Sequence, residues 1–481
     1  MVSIMGIFKV IFTNCVGCYI TLKIPLVIIY YRRKMRMVRS KRKPTDGLHL
    51  GIFHPYCNDG GGGEKVLWTA VDVILNKYPD TKLVIYTGDI EYSPSQILQK
   101  VKQRFNIVLP SKVDFIYLTQ RKWIEASMYP CFTLLGQSFG SVWLGIEALL
   151  AYCPDVYLDT MGYAFTYPLF KYIGQCKVAS YTHYPTITSD MLRRVSGRVV
   201  SYNNRRSVAN SPFLTAGKLI YYQIFAWMYG LVGRCADVVM VNSTWTEEHI
   251  NELWRRPLST HRVYPPCSVD DLKSIPRPCT EIVQNDLIKI ISIGQFRPEK
   301  NHPLQLRAMY ELRQLIPEHV WDRVRLVLIG ACRNEEDRNR VTDMEDLCKH
   351  LSLEDNVIFR LNVPYEEMKK ELTEATIGLH AMWNEHFGIG VVECLAAGLI
   401  TIAHRSGGPK TDIIIESEGS RNGFLAADDD EYAHAMATIF LMTPKQRESV
   451  IMSARSSVDR FSVKEFEKQF LRTLEPFFSK Y

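Results

Sequence analysis

Acidic residues are missing from the first 43 positions, which carry ten lysines and arginines. The remaining positions hold 48 basic against 51 acidic side chains, so the net charge of +7 belongs to the N-terminus. The body thus lacks the basic excess of a nucleic-acid-binding surface. Paired cysteines are almost as scarce: twelve are scattered, and only Cys15 and Cys18 stand as C-x-x-C. That pair lies inside an apolar segment without a partner pair, which speaks against metal binding and leaves a bystander role, or lipidation as a lesser alternative. No His/Asp cluster has metal-ligand spacing, so no metal requirement is expected. No short-period repeat occurs. Charged and hydrophobic fractions of 23% and 47% exclude a mainly disordered, collagenous or coiled-coil chain. A mean hydropathy of −0.09 argues against many membrane spans. At ~100–200 residues per domain, 481 residues make two or three domains, with cores that need no disulfides.

What is present begins with residues 10–31, VIFTNCVGCYITLKIPLVIIYY, which carry one charge, Lys23, and one proline, Pro25. About 20 apolar residues span a bilayer core. Eight cations follow between Arg32 and Lys43, and the positive-inside rule puts such a flank in the cytosol. A cleaved signal peptide would carry its charge before the apolar core and small residues after it. The segment reads as a membrane anchor, with a helix lying in the interface as the rival, because Lys23 is costly at mid-bilayer. Asn242-Ser243-Thr244 is a glycosylation sequon that a cytosolic body would leave silent.

The body opens with a strand-like GLHLGIFHPYC, the glycine run Gly60 to Gly63, and a helical EKVLWTAVDVILNKY. Strand, glycine loop and helix begin a doubly wound α/β domain. KLVIYTG (82–88), PDVYLDT (154–160), KVASYTH (177–183) and DVVMVNST (237–244) read as further buried parallel strands. A linker is expected from Ser274 to Asp286. The pattern restarts with IKIISIG (288–294), RLVLIG (325–330), NVIFRL (356–361), TIGLHAM (376–382) and LITIAH (399–404). The expected architecture is α/β: residues 1–43 as anchor and basic flank, and two facing Rossmann-like domains, 44–285 and 286–481, with a cleft between. Two apolar stretches, 131–151 and 219–233, read as core helices of the first domain, with membrane contact as the alternative for at least one.

The most informative segment runs from Glu385 to Gly398, EHFGIGVVECLAAG. It follows a strand and opens a helix, whose N-terminal N–H groups attract phosphate or sugar oxygens. Glu385 precedes that end and Glu393 lies two turns in. Without further context, Glu385 could equally be a helix cap and Glu393 a solvated residue. Gly61, Gly62 and Gly63 leave backbone N–H groups unobstructed for phosphate or sugar, although a plain tight turn needs no more. Arg297 and Lys300 alone would fit a solvated loop, and His183 alone a structural histidine.

The E-x-F-G-I-x-x-x-E-x-L-A-A-G pattern resembles the signature of retaining, nucleotide-sugar-dependent glycosyltransferases of the GT-B fold, family 4. Ser406-Gly407-Gly408-Pro409 and Asn422-Gly423-Phe424-Leu425 are similar to that family too. HPYCNDGGGGEKVLW, DTMGYAFTYPLF, YTHYPTIT and QFRPEKNH resemble its endoplasmic-reticulum α-1,2-mannosyltransferase branch. The resemblance implies a GT-B fold whose last helix returns to the first domain. It implies GDP-mannose as donor and a dolichyl-diphosphate-linked oligosaccharide, Man(3)GlcNAc(2)-PP-dolichol, as acceptor, in N-glycan precursor assembly. It implies a single-pass endoplasmic-reticulum membrane protein with its body in the cytosol, and admits other mannosyltransferases of the pathway as partners. By the same resemblance Glu385, with the backbone N–H groups of Phe387 and Gly388, holds the donor sugar. Glu393 serves the ribose, Lys300 the diphosphate, and His183 lies near donor sugar or acceptor. The family commonly has Arg directly after the strand-ending glycine; here Gln295 follows Gly294, and Arg297 is the candidate replacement. Another membrane-anchored family 4 transferase, or a non-catalytic scaffold, are the competing readings.

Overall fold

The computed structural model describes residues 25–42, 47–109, 113–198, 210–276, 287–332, 334–417 and 419–479. Residues 10–24 of the apolar segment, Cys15 and Cys18 with them, and most of the expected linker lie outside these.

Thirteen strands form among the described residues: β1 (His49–Phe53), β2 (Lys82–Thr87), β3 (Asp114–Tyr117), β4 (Val156–Asp159), β5 (Lys177–Thr182), β6 (Val238–Val241), β7 (Thr260–Arg262), β8 (Ile288–Ile293), β9 (Val324–Gly330), β10 (Val357–Leu361), β11 (Ala375–His380), β12 (Ile400–His404) and β13 (Gly423–Ala426). They make two sheets, ordered β3-β2-β1-β4-β5-β6-β7 and β10-β9-β8-β11-β12-β13. Every pairing between them is parallel. Helices cover both faces, so central strands such as β1, β4 and β12 are buried end to end, which is why they read as mainly apolar runs without inside–outside alternation. The edge strands β3, β7 and β13 were not anticipated. They have three or four residues each, and edge positions demand less apolar character.

Each sheet starts in its middle. β1 lies between β2 and β4, and β8 between β9 and β11. Such reversals leave a crevice at the carboxyl ends of the central strands, where α/β folds bind ligands. The glycine loop after β1, the Arg297–Lys300 turn after β8 and the Glu385 loop after β11 all leave those ends.

The last helix, Val463–Phe478, crosses back to the first sheet. Its apolar face, Phe466, Phe470, Leu474, Phe477 and Phe478, is buried in that sheet's core, and Phe478 stacks on Tyr78 with ring centroids 4.0 Å apart.

Residues 25–40 are helical. Leu26 to Tyr30 are bare, whereas Met35 is buried in the core of the first domain. Arg39 and Arg42 both pair with Asp155, at 3.4 and 2.8 Å. The two later apolar stretches are helices Thr133–Ala151 and Pro212–Gly233. The second exceeds the stretch read from sequence because Ser211 caps it and Pro212 sits in its first turn. Both pack one face into the core through Leu144, Ala148, Phe225 and Tyr229. The opposite face is exposed, with Phe139 and Trp143 each 57% and Trp227 66% accessible. The first of the two, at mean hydropathy 1.3, is long and apolar enough to cross a membrane.

Candidate active site

The second domain supplies a carboxylate, an ammonium group and an imidazole. After β11 the chain turns through residues 381–388 and enters helix Ile389–Ala397, whose N-cap is Gly388 at φ 111°. Glu385 is therefore not the cap. Its Oε2 lies 2.5 Å from Lys300 Nζ and 3.1 Å from His380 Nε2. Lys300 ends the turn Pro298–Lys300, and its Nζ also lies 3.3 Å from Met382 Sδ. Burial pushes the Glu385 carboxyl up, but Lys300 and then His380 outweigh it and hold the group well below the ordinary carboxylate value. Glu385 is thus an ionised, acceptor-only group.

The glycine pair behind this loop has a steric reason. Gly408 N–H donates to Glu385 O at 2.8 Å. A Cβ on Gly407, at φ +59°, would lie 2.2 Å from Glu385 O. Phe387 turns its ring into the core, 5.2 Å from Phe461 and 5.7 Å from Tyr264 between centroids, so only its backbone can meet a ligand. The N–H groups of Phe387 and Gly388 find no backbone acceptor among the described residues.

The first domain supplies the glycine loop and His183. Gly61 caps helix Gly62–Lys77. Glu64 accepts from Gly61 N–H at 2.5 Å and meets His54 Nε2 at 3.3 Å, while His54 Nδ1 meets Thr160 Oγ1 at 2.7 Å. Glu64 thereby pins the loop from behind; its position three residues after the cap is the capping-box spacing that could have revealed it. His183 directly follows β5. Its Nε2 is buried without a hydrogen-bond partner among the described residues and would sit 3.7 Å from a Cβ on Gly63. Burial, then the neighbouring His54, pulls the His183 imidazole down to about 4.

The two halves face each other. A Cβ on Gly62 would come within 2.9 Å of Ile389 Cδ1, so the glycine loop looks onto the start of the Glu385–Gly398 helix. One turn along both helices, Lys65 Nζ lies 3.7 Å from Glu393 Oε1 and 2.8 Å from Ser268 Oγ. Glu393 is therefore engaged across the cleft, not solvated. Arg297 is the predicted residue left apart: half-exposed, with its ion pair to Glu299 at 3.8 Å.

Several residues at the site carried no sequence signal. Asn384 Nδ2 donates to Asp190 Oδ2 at 2.8 Å, and His249 Nε2 stands 3.6 Å from the same oxygen. The Arg194 guanidinium lies over the Trp383 ring, 3.2 Å from its centroid. His386 stacks 4.0 Å from Tyr184 and 5.6 Å from Trp245. Helix Ser189–Ser196 of the first domain thus grips the loop that carries Glu385.

Residues 47–254 match the family described as ALG11 mannosyltransferase N-terminus, and residues 281–457 match glycosyl transferases group 1. The GDP-Man:Man(3)GlcNAc(2)-PP-Dol alpha-1,2-mannosyltransferase of Homo sapiens is 48% identical over 98% of this chain and 96% of its own. The protein of the same name from Xenopus laevis is 53% identical over 89% and 87%, and that from Dictyostelium discoideum 44% over 92% and 87%. Among solved structures, the chain resembles Anabaena Alr3699/HepE in complex with UDP and glucose, with TM-score 0.60, 15% identity, and coverage of 89% and 99%. It also resembles a Thermosynechococcus elongatus sucrose-phosphate synthase, with TM-score 0.62, 16% identity, and coverage of 90% and 100%. These likenesses show the fold, GT-B.

Proposed function

The chain belongs to the α-1,2-mannosyltransferase family that these relatives define, and from that premise we propose how its cleft works: it transfers mannose from GDP-mannose to Man(3)GlcNAc(2)-PP-dolichol with retention of the α linkage. The observation that carries the reading is the contact of Glu385 with Lys300 at the mouth of a helix N-terminus. The ionised Glu385 accepts hydroxyl hydrogens from the donor mannose. The N–H groups of Phe387 and Gly388 join Glu385 at the sugar, and Lys300, with the helix N-terminus near Gly388, meets the diphosphate. Donor binding then replaces one internal ion pair by two ligand contacts of matching sign. Glu393 takes the ribose, and Arg297 reaches the diphosphate only by reorienting from Glu299.

A retaining glycosidase places two carboxyl groups ~5–5.5 Å apart and uses one as nucleophile. In this reading Glu385 and Glu393 are committed to sugar and ribose, which leaves the donor's own diphosphate as base. As the bond from the anomeric carbon to phosphate oxygen breaks, that oxygen gains charge, which Lys300 and the helix N-terminus stabilise. The acceptor hydroxyl arrives on the same face, forms the new bond to the anomeric carbon, and passes its proton to the leaving oxygen. His183, neutral at physiological pH, positions the reacting groups and does not deprotonate them.

The test is a donor panel on purified full-length protein with the dolichyl-diphosphate acceptor. GDP-mannose alone should support turnover, and an α-1,2-mannosidase should remove the added residue. Preference for a UDP-sugar, or a β-linked product, would overturn the reading. We also place the protein in the endoplasmic-reticulum membrane with its body in the cytosol, on the strength of the apolar segment and its basic flank. Added protease should digest the body in sealed microsomes; protection would reverse the orientation.

A further inference from the structure

The amino-terminal end of the first sheet, opposite the cleft, holds a second feature that the transfer reaction does not use. A cavity of about 440 Å³ opens there between the helix of residues 25–40 and the body. Lys82, the first residue of β2, lines one side; Lys34, Lys41 and Arg42 line the other; Met35 and Leu149 contribute to an apolar floor. Among the described residues the lining contains four permanent cations and no carboxylate. Asp155, the acidic group that Arg42 pairs with, is shared with Arg39, so its charge is already answered. Lys34 has one ring contact, 6.0 Å from the Tyr31 centroid. Like charges gathered around low-dielectric walls raise the local potential and favour an anion.

Cations around an apolar floor fit an amphiphile with an anionic head. The surroundings point the same way. Helix Thr133–Ala151, bare along Phe139 and Trp143, ends at this cavity with Leu150 and Ala151 in its lining. The helix of residues 25–40 presents the exposed Leu26 to Tyr30 on its way from residues 10–24. We propose that this cavity binds the phosphate-bearing headgroup of an anionic membrane phospholipid, with the lysines on the phosphate and Met35 and Leu149 beside the glycerol and first methylenes. The cation set stands on its own; the choice of a lipid over a free phosphate rests on the membrane reading above.

Native mass spectrometry of the full chain in detergent tests this without depending on the anchor's orientation. Wild-type protein should retain phosphatidylinositol in preference to phosphatidylcholine. The triple variant Lys34→Gln/Lys41→Gln/Lys82→Gln, altered only at exposed side chains, should lose that preference by roughly tenfold or more. Its melting temperature, and its turnover with a soluble acceptor, should match wild type, because the cleft lies at the opposite, carboxyl ends of the strands. Equal retention of the two lipids, or an unchanged preference in the variant, would sink the proposal. Displacement of phosphatidylinositol by millimolar inorganic phosphate would also overturn it, in favour of a free-anion site.

Discussion

Glu385 and Lys300 show how two side chains of opposite charge hold a site ready. Each costs desolvation, and each offsets the other's cost. Glu385→Gln keeps the shape and removes the charge; turnover should fall at least a hundredfold while the melting temperature changes little. Lys300→Ala should lower kcat by ~10²–10³, the range for a lost transition-state donor. Near-wild-type single-turnover rates in either variant would refute these roles. The imidazoles make a second prediction. Burial pulls both His183 and His386 down to about 4, against about 6.5 when unfolded. As pH falls through that window the unfolded chain takes up protons that the folded one refuses, so stability rises with pH between about 4 and 6.5. Urea denaturation at pH 5 and pH 7 should show that slope, and His183→Asn should flatten it. Neither ring should produce a limb near pH 6.5 in kcat/KM; a limb there that disappears in His183→Asn would contradict the burial argument.

Elements position these residues by meeting across the cleft. Helix Ser189–Ser196 holds the loop that carries Glu385 through Asp190 and Asn384, and Asp190 itself leans on His249. The nearby His249 imidazole, 3.6 Å away, holds the Asp190 carboxyl below its ordinary value. Burial pulls the His249 imidazole down, but Asp190 more than compensates and raises it. Each group thus favours the charged form of the other. Asp190→Ala removes a charge-assisted hydrogen bond from the residue next to Glu385. Such bonds contribute roughly 1.5–3 kcal/mol, so the donor KM should rise about tenfold or more. Asp190→Asn should recover part of that, since an amide oxygen still accepts from Asn384. Steady-state kinetics with GDP-mannose, beside a melting curve, separates this from general destabilisation; an unchanged KM with a lowered melting temperature would make Asp190 structural only.

The whole molecule is tied together by its C-terminal helix, which starts after the second sheet and finishes in the core of the first. Phe470, fully buried there, is a test of that tie. Phe470→Ala should cost about 3–5 kcal/mol, and hydrogen exchange should show the loss in β1 and helix Gly62–Lys77 before it reaches β8 to β12. Uniform loss across both sheets would mean that the two domains unfold as one unit.

How much of this was legible in sequence follows from the range of the forces involved. The central strands were readable because strands buried on both faces are apolar along most of their length. The glycine loop, the Glu385–Gly398 pattern and the basic flank were readable because loop geometry, helix entry and charge act over a few neighbouring residues. Three of the four edge strands, β3, β7 and β13, escaped because such short strands carry little of that patterning. The partner of each site residue escaped as well. Lys300 and Glu385 lie 85 positions apart, and Asp190 and Asn384 lie 194 apart. Only the order of strands in each sheet, and the closing of one sheet's loops on the other's, brings them within hydrogen-bond reach. The sequence by itself determined two α/β units and the residue types at their strand ends. Tertiary structure decided that Glu385 answers Lys300, that Glu393 faces Lys65, and that Arg297 stands aside, because those pairings depend on contacts between loops that no local rule connects.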